Sequence, residues 1–400
     1  MRKESKLTAL IVCLTLLALA CCAAEGADAA AKRATISPIL VRLEPDAPQR
    51  FSVEIAGRPA RGVKWFVNDA PGGNAELGTI TREGVYRAPA KPPRLNEVHV
   101  HATVEGADNR YVCSTVLVGR SLPTYKLVAR WGEYGEGKGQ FTDPHGVALD
   151  RDGNLLITDT VAGHVYRYTA EGKLLGEVGD GPASLRGPRD VCVDAEGNIY
   201  VLDGTDIRIL KFAPSGELLA SWGEKGSGPG QMSRPHGFAL GKDGRTYVAD
   251  VDNNRAVVYG GDGRFLFEWG QHGTEPGQFN APHAVAADRN GDVFVVEFNG
   301  RCQKFTADGQ PLFTFAEEPG TYHSMTSDRW GDVYLMARSP SFGACIAKYN
   351  NNGAFVTRFR LPVKGEEGFY PKCAVIDDQG RIYLTESGPN NAAITILSPE

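Results

Sequence analysis

One short phrase recurs six times between residues 144 and 386, and it constrains the fold more than any other feature of the chain. The copies read PHGVALDRDGNLLITD from Pro144, PRDVCVDAEGNIYVLD from Pro188 and PHGFALGKDGRTYVAD from Pro235. They continue as PHAVAADRNGDVFVVE from Pro282, YHSMTSDRWGDVYLMA from Tyr322 and PKCAVIDDQGRIYLTE from Pro371. Each copy is a short apolar run, an Asp/Gly turn and a second apolar run, which is the pattern of a β-hairpin. The second residue of each copy is His145, Arg189, His236, His283, His323 and Lys372 in turn, at spacings of 44, 47, 47, 40 and 49. Random placement of the eight histidines would put about 0.1 of them per such position set, yet four are there.

After the hairpin, the units add a third strand-like run (HVYRYT, IRILKF, AVVYGG, CQKFTA) and a fourth (KLLGEVG, ELLASWG, RFLFEWG, PLFTFA, AFVTRFR). Four short strands at a period of 40–50 residues is the signature of a propeller blade. The sixth copy stops after its third run, AITILS, and the missing fourth is found ahead of the array as KLVARWG, residues 126–132. A strand borrowed from the start closes a ring and leaves no exposed sheet edge. The expected fold over 121–400 is therefore an all-β, six-bladed β-propeller closed by an N-terminal strand.

Composition agrees and narrows the partners. With 42% hydrophobic and 23% charged residues the chain can bury real cores, and 48 glycines suit a turn-rich β protein. A net charge of −5 supplies no basic field for nucleic acid. Residues 1–22 read as a signal peptide: Arg2, Lys3 and Lys6 precede an apolar stretch from Leu7 to Ala20 that is short for a bilayer span. Cys21 or Cys22 after it leaves a lipoprotein signal as an alternative to simple secretion, so export to the periplasm, cell envelope or exterior is expected, without a transmembrane helix. Residues 23–34 read as a linker. The remaining cysteines, Cys113, Cys192, Cys302, Cys345 and Cys373, are odd in number and have no CxxC spacing, which excludes a zinc ribbon or disulfide scaffold and leaves one disulfide among the last four open.

Between residues 35 and 119, short β-branched runs separated by Gly, Pro, Asn and Asp point to a small antiparallel sandwich with Trp65 as its core plug. The phrase GTITREGVYRAP (Gly78–Pro89) resembles bacterial immunoglobulin-like domains. His99 and His101 alternate on one strand and share a face; a solvated face is expected there rather than a metal site.

The wording GQFxxPHGVAxDxxGNxYVxD, with its linkers Gly139-Gln140-Phe141, Gly230-Gln231-Met232 and Gly277-Gln278-Phe279, resembles NHL-repeat propellers over about 275 residues. In such a fold the first strand of each blade lines the central channel, so the six second residues surround one mouth. Asp159, Asp203, Asp250, Glu297, Ala337 and Glu386 end the second strands on the same face. His145, His236 and His323 come from alternate blades and can address one point on the axis, the three-imidazole set of catalytic zinc; His283 is a fourth ligand or a general acid/base. The placement of these histidines is similar to that in the propeller lyases that cleave peptidyl-α-hydroxyglycine. That resemblance implies zinc or another divalent transition metal, with Arg189 and a tyrosine assisting catalysis. The family's tyrosine lies in an Asp-Gly-Tyr step, which here is Asp203-Gly204-Thr205, leaving Tyr322 as the substitute.

Three readings of the ring stay open: an axial metal site, a polar pocket without metal, or histidines kept for structure. In the second, Arg189 and Lys372, with Asp159, Asp203, Asp250 and Glu297 around them, would bind an anionic or polar ligand. The function expected is an exported binding module for a protein, peptide or small molecule on the histidine face. The alternative is a zinc-dependent lyase or hydrolase. The closing carboxylates are expected to cap loops, and Arg208, Arg255 and Arg301 to pair with them.

Overall fold

A computed structural model describes residues 32–179, 184–316, 320–361 and 370–400. The signal-peptide and lipid-anchor expectations fall on residues 1–31, outside the described residues. Among the described residues there is no helix, so none is long and apolar enough to cross a membrane. The chain divides into two compact units, one running to Lys91 and including Val98–Val116, the other formed by Pro92–Glu97 and Leu117–Glu400.

Among its described residues the first unit is all-β. Its largest sheet pairs Leu40–Leu43, Tyr111–Val118, Glu97–Thr103, Lys64–Val67 and Ala70–Pro71 in that order. Trp65 packs against Phe51 at 6.5 Å, and Phe51 meets Tyr86 edge-on at 6.4 Å, so the expected plug is one member of an aromatic trio. His99 and His101 depart from the expected solvated face: both are buried, and His101 Nδ1 lies 3.1 Å from the Tyr111 hydroxyl. The strand Tyr111–Val118 is apolar or small on both faces, and its neighbour is likewise covered on both sides.

Among its described residues the second unit has six four-stranded antiparallel sheets. Sheets one to five take their strands in chain order, with first strands Pro144–Leu149, Pro188–Val193, Pro235–Leu240, Pro282–Ala287 and Thr321–Ser327. Sheet six is built from Tyr370–Ile376, Ile382–Gly388 and Asn391–Pro399 and is completed by Tyr125–Trp131, which pairs Trp131 with Ile394 and Tyr125 with Pro399. Each first strand neighbours the next, and that of sheet six returns to that of sheet one, so the six form a closed cycle.

The repeated residues explain why the sheets stack. In the linkers, Gln140 and Gln231 each accept the amide of the glycine three residues back at 2.9 Å, closing the loop. The next residue (Phe141, Met232, Phe279) is then fully buried between sheets; each such side chain contributes about 1.5–3 kcal/mol. Trp131, Trp222 and Trp269 end fourth strands and lie over Gly172, Gly263 and Gly309 of the following sheet, where a Cβ would come within 2.7–2.8 Å of the indole. Those turns therefore need glycine for contact as well as for their positive φ. The Asp/Gly hairpins are Asx turns: Asp150 Oδ1 accepts the amides of Asp152 and Asn154, both at 2.9 Å.

Candidate functional site: an imidazole row at the channel mouth

The second residue of every copy sits at an irregularity in strand pairing. Register shifts fall between Pro144 and Val147, Pro188 and Asp190, Pro235 and Phe238, Pro282 and Ala284, Tyr322 and Ser324, and Pro371 and Cys373. A β-bulge frees one residue from the ladder and re-aims its side chain. Here that residue is His145, Arg189, His236, His283, His323 or Lys372, so the bulge is the device that gathers the six positions.

Four imidazoles form a row. The His145 and His236 rings are 5.2 Å apart at a steep angle, although their sheets alternate around the cycle. His236 and His283 lie 3.6 Å apart, and His283 and His323 6.4 Å apart. His283 Nδ1 is 3.0 Å from the His323 carbonyl, which orients its ring and leaves Nε2 for other contacts. His145 Nδ1 is buried, and among the described residues the Arg189 backbone is the one hydrogen-bonding group that bears on the His145 ring. Among the described residues, no three of these histidines bring ring nitrogens within 4.8 Å of one another. The arrangement is a row of pairs rather than a closed tripod.

Burial keeps these rings neutral. It drives His145 and His236 well below the usual imidazole range, aided at His145 by Lys372 and Arg189 and at His236 by the His283 and His145 rings. His283 and His323 are pushed down to about 4, also chiefly by burial. Neutral imidazoles keep a lone pair at neutral pH, as metal ligation requires.

Close packing beside the row depends on small residues. A Cβ on Gly146 would lie 2.7 Å from Asp190 Cα and 2.8 Å from the Arg189 carbonyl; on Gly237 it would lie 2.8 Å from Ala284 Cα. Thr158 and Thr385 stitch the sheets there. The Thr158 hydroxyl accepts from Gly146 N at 2.7 Å and donates to the Arg189 carbonyl at 3.1 Å, and Thr385 donates to the His145 carbonyl.

The two cations at bulge positions are placed differently. Lys372 is 3.6 Å from Asp143, which also accepts from Ser387 Oγ at 2.6 Å. Arg189 lies over Gly204, where any Cβ would fall 2.8 Å from its Nε. Burial works against its charge and Asp143 supports it from beyond ion-pair distance, and among the described residues no carboxylate or carbonyl bonds its guanidinium. Arg189 therefore offers a planar set of donors beside the imidazole row.

The carboxylates face elsewhere. Asp159, Asp203, Asp250 and Glu297 are buried. Asp159 accepts from Thr142 N at 2.6 Å, Asp143 N at 3.0 Å and Ala162 N at 3.0 Å. Asp203 accepts from Arg186 N and Asp250 from Ser233 N, and Arg208, Arg255 and Arg301 pair with Asp203, Asp250 and Glu297 in turn. Arg130 of the closing strand does the same for Glu386. These groups hold loops together and do not orient the histidines. Tyr322 is 2% exposed and packs in the core between sheets four and five with Phe315 and Tyr349. The five described cysteines are all free thiols.

Two mouth residues escape the repeat pattern. Phe298 is 44% exposed, with its ring 5.2 Å from His283 and 6.2 Å from His323. Arg234, paired with Asp252 at 2.7 Å, adds positive charge felt by His236, His283 and Arg189. Phe298 follows the carboxylate that ends its second strand, and aligning that position across the copies (Thr160, Gly204, Val251, Phe298, Arg338, Ser387) marks it as the one large exposed apolar residue.

No protein-family model matches the chain, and no curated protein matches it. Solved structures do. A protein of unknown function from Bacteroides thetaiotaomicron is 14% identical, covering 91% of this chain and 97% of its own, with a TM-score of 0.54. A catalytically inactive virginiamycin B lyase from Staphylococcus aureus, solved with quinupristin, is 14% identical over 69% of this chain and 99% of its own, at 0.50. A gluconolactonase from Xanthomonas campestris is 14% identical over 66% and 88%, also at 0.50. At this identity the likeness concerns the fold, and the fold is a β-propeller.

Proposed function

We propose that this chain is an exported protein in which an immunoglobulin-like spacer precedes a six-bladed propeller of NHL type, and that the propeller mouth binds a small-molecule or peptide ligand through a metal and an anion-binding arginine. The observation that carries the reading is the row of four buried, neutral imidazoles at the channel mouth. Neutral imidazoles with free lone pairs are the ligands a divalent transition metal takes. The donor set suits zinc, copper or iron. His145, His236 and His323 would hold the ion, while His283 lies tilted against His236 with its Nδ1 held at the His323 carbonyl. Bringing three ring nitrogens onto one ion takes rotation of these side chains.

Arg189 and Lys372 would receive an anionic group of the ligand, and Phe298 an apolar one. An alternative reading makes the same site a metal-dependent lyase or hydrolase. A bound metal would supply Lewis acidity and an activated water or hydroxyl. With Tyr322 in the core, Arg189 is the protein's own candidate for stabilising developing negative charge, and His283 the candidate proton carrier. The fold supports catalysis elsewhere, since a lyase and a gluconolactonase share it, but fold does not fix function.

Equilibrium dialysis of the purified full chain against zinc tests the reading. Wild type should hold close to one equivalent and His236→Ala at least about tenfold less at the same free zinc, since even loss of a group that only orients a ligand costs about 10–100-fold. Equal uptake by the two proteins would overturn it.

A further inference from the structure

Directly beneath the imidazole row the six first strands enclose a cavity of about 310 Å³. Its upper end is formed by residues that immediately follow the mouth positions, among them Asp190, Ser324 and Cys373; its walls are Val147, Val191, Phe238, Val285 and their neighbours. Among the described lining residues there is one charged group, Asp190, and no lysine, arginine or histidine. Asp190 Oδ1 accepts the Val191 amide at 3.0 Å and Oδ2 the Phe238 amide at 3.1 Å. A carboxylate has about four acceptor sites, so roughly two remain for a ligand. Sheet five stands across the ring from sheet two and presents Ser324, Thr326 and Ser327 to the same space. Burial pushes the Asp190 carboxyl up to about 7, relieved only by those two amides. The anion therefore lacks a counter-charge from the protein.

We propose that the channel is a second binding site, separate from the mouth, for a small primary ammonium with an aliphatic body. The ammonium has three donors, enough to meet the free lone pairs of Asp190, and the aliphatic part lies along the Val, Leu, Ile and Phe walls. An anionic ligand finds no cation there. A bare divalent ion finds a single carboxylate, where such ions gather several oxygen ligands. The volume is at the small end of ligand pockets, which limits the occupant to a short chain or single ring.

Calorimetric titration of the full chain at pH 8 with n-hexylamine, 1-hexanol and sodium hexanoate tests this. Hexylamine should bind at least about tenfold more tightly than hexanol, and hexanoate should not bind. In Asp190→Asn the amine should lose its advantage while hexanol binds as before, which also reports that the cavity is intact. Equal binding of amine and alcohol by wild type, measurable hexanoate binding, or no amine binding would each overturn the proposal without recourse to the variant. Retention of the amine preference in Asp190→Asn would overturn it as well.

Discussion

Replacing Gly146 by alanine adds one methyl group at the tightest point beside the imidazole row. The new Cβ would stand 2.7 Å from Asp190 Cα and 2.8 Å from the Arg189 carbonyl oxygen, both backbone atoms of the neighbouring sheet. Neither can swing aside, because Arg189 O is held by the Thr158 hydroxyl and the Asp190 side chain is bonded across to Phe238 N. Overpacking of this kind costs about 1–3 kcal/mol. For a unit of this size that is a fall of roughly 2–12 °C in Tm. Gly176 is the control: a Cβ there meets nothing within 4 Å, so Gly176→Ala should stay within about 0.5 kcal/mol of wild type. Differential scanning calorimetry of the three proteins decides the matter. If Gly146→Ala melts no lower than Gly176→Ala, the claim that glycine here sets the spacing of the first strands is wrong.

Thr158→Val keeps the shape but leaves Gly146 N and the Arg189 carbonyl without their buried partner, which should cost about 1–3 kcal/mol in denaturant melts; an unchanged midpoint would contradict the stitching role. Arg255→Gln removes the cation that binds Asp250, Glu268 and the carbonyls of Gly228 and Gln231, and the abandoned Asp250 should make the loss about 3–5 kcal/mol. The Asp190 carboxyl, near 7 in the fold against 3.8 as a free side chain, is protonated more readily in the folded than in the unfolded chain. Its stabilising share is full below about 4 and is lost as pH rises to about 7. Between pH 5 and 8 wild type should therefore lose Tm relative to Asp190→Asn, and parallel curves would refute the assignment.

The periodic part of the structure was legible because each unit repeats its own reasons. Hydrophobic alternation marks the strands, the Asp/Gly steps mark the hairpins, and KLVARWG supplies the strand that the last sheet lacks. The site was legible only in outline. The Pro-X step locates the mouth, but it gives no sign that the ladder shifts register there, because a bulge depends on how two strands pair. The carboxylates ending second strands share a face with the histidines in the pattern, yet they turn into their own loops, where backbone amides and arginines satisfy them. Tyr322 stands where five copies have proline; its ring goes to the core because sheets four and five leave an apolar gap, which no local pattern records. Phe298 and the channel carboxylate Asp190 each belong to a single copy, and reading for what repeats passes over them.

X-ray absorption at the zinc edge on the zinc-loaded full chain examines the imidazole row most directly. The account predicts a first shell dominated by about three imidazole nitrogens at roughly 2.0–2.1 Å, with one nitrogen lost in His236→Ala. A shell of sulfur near 2.3 Å, or of oxygen alone, would place the metal elsewhere and contradict the row as its site.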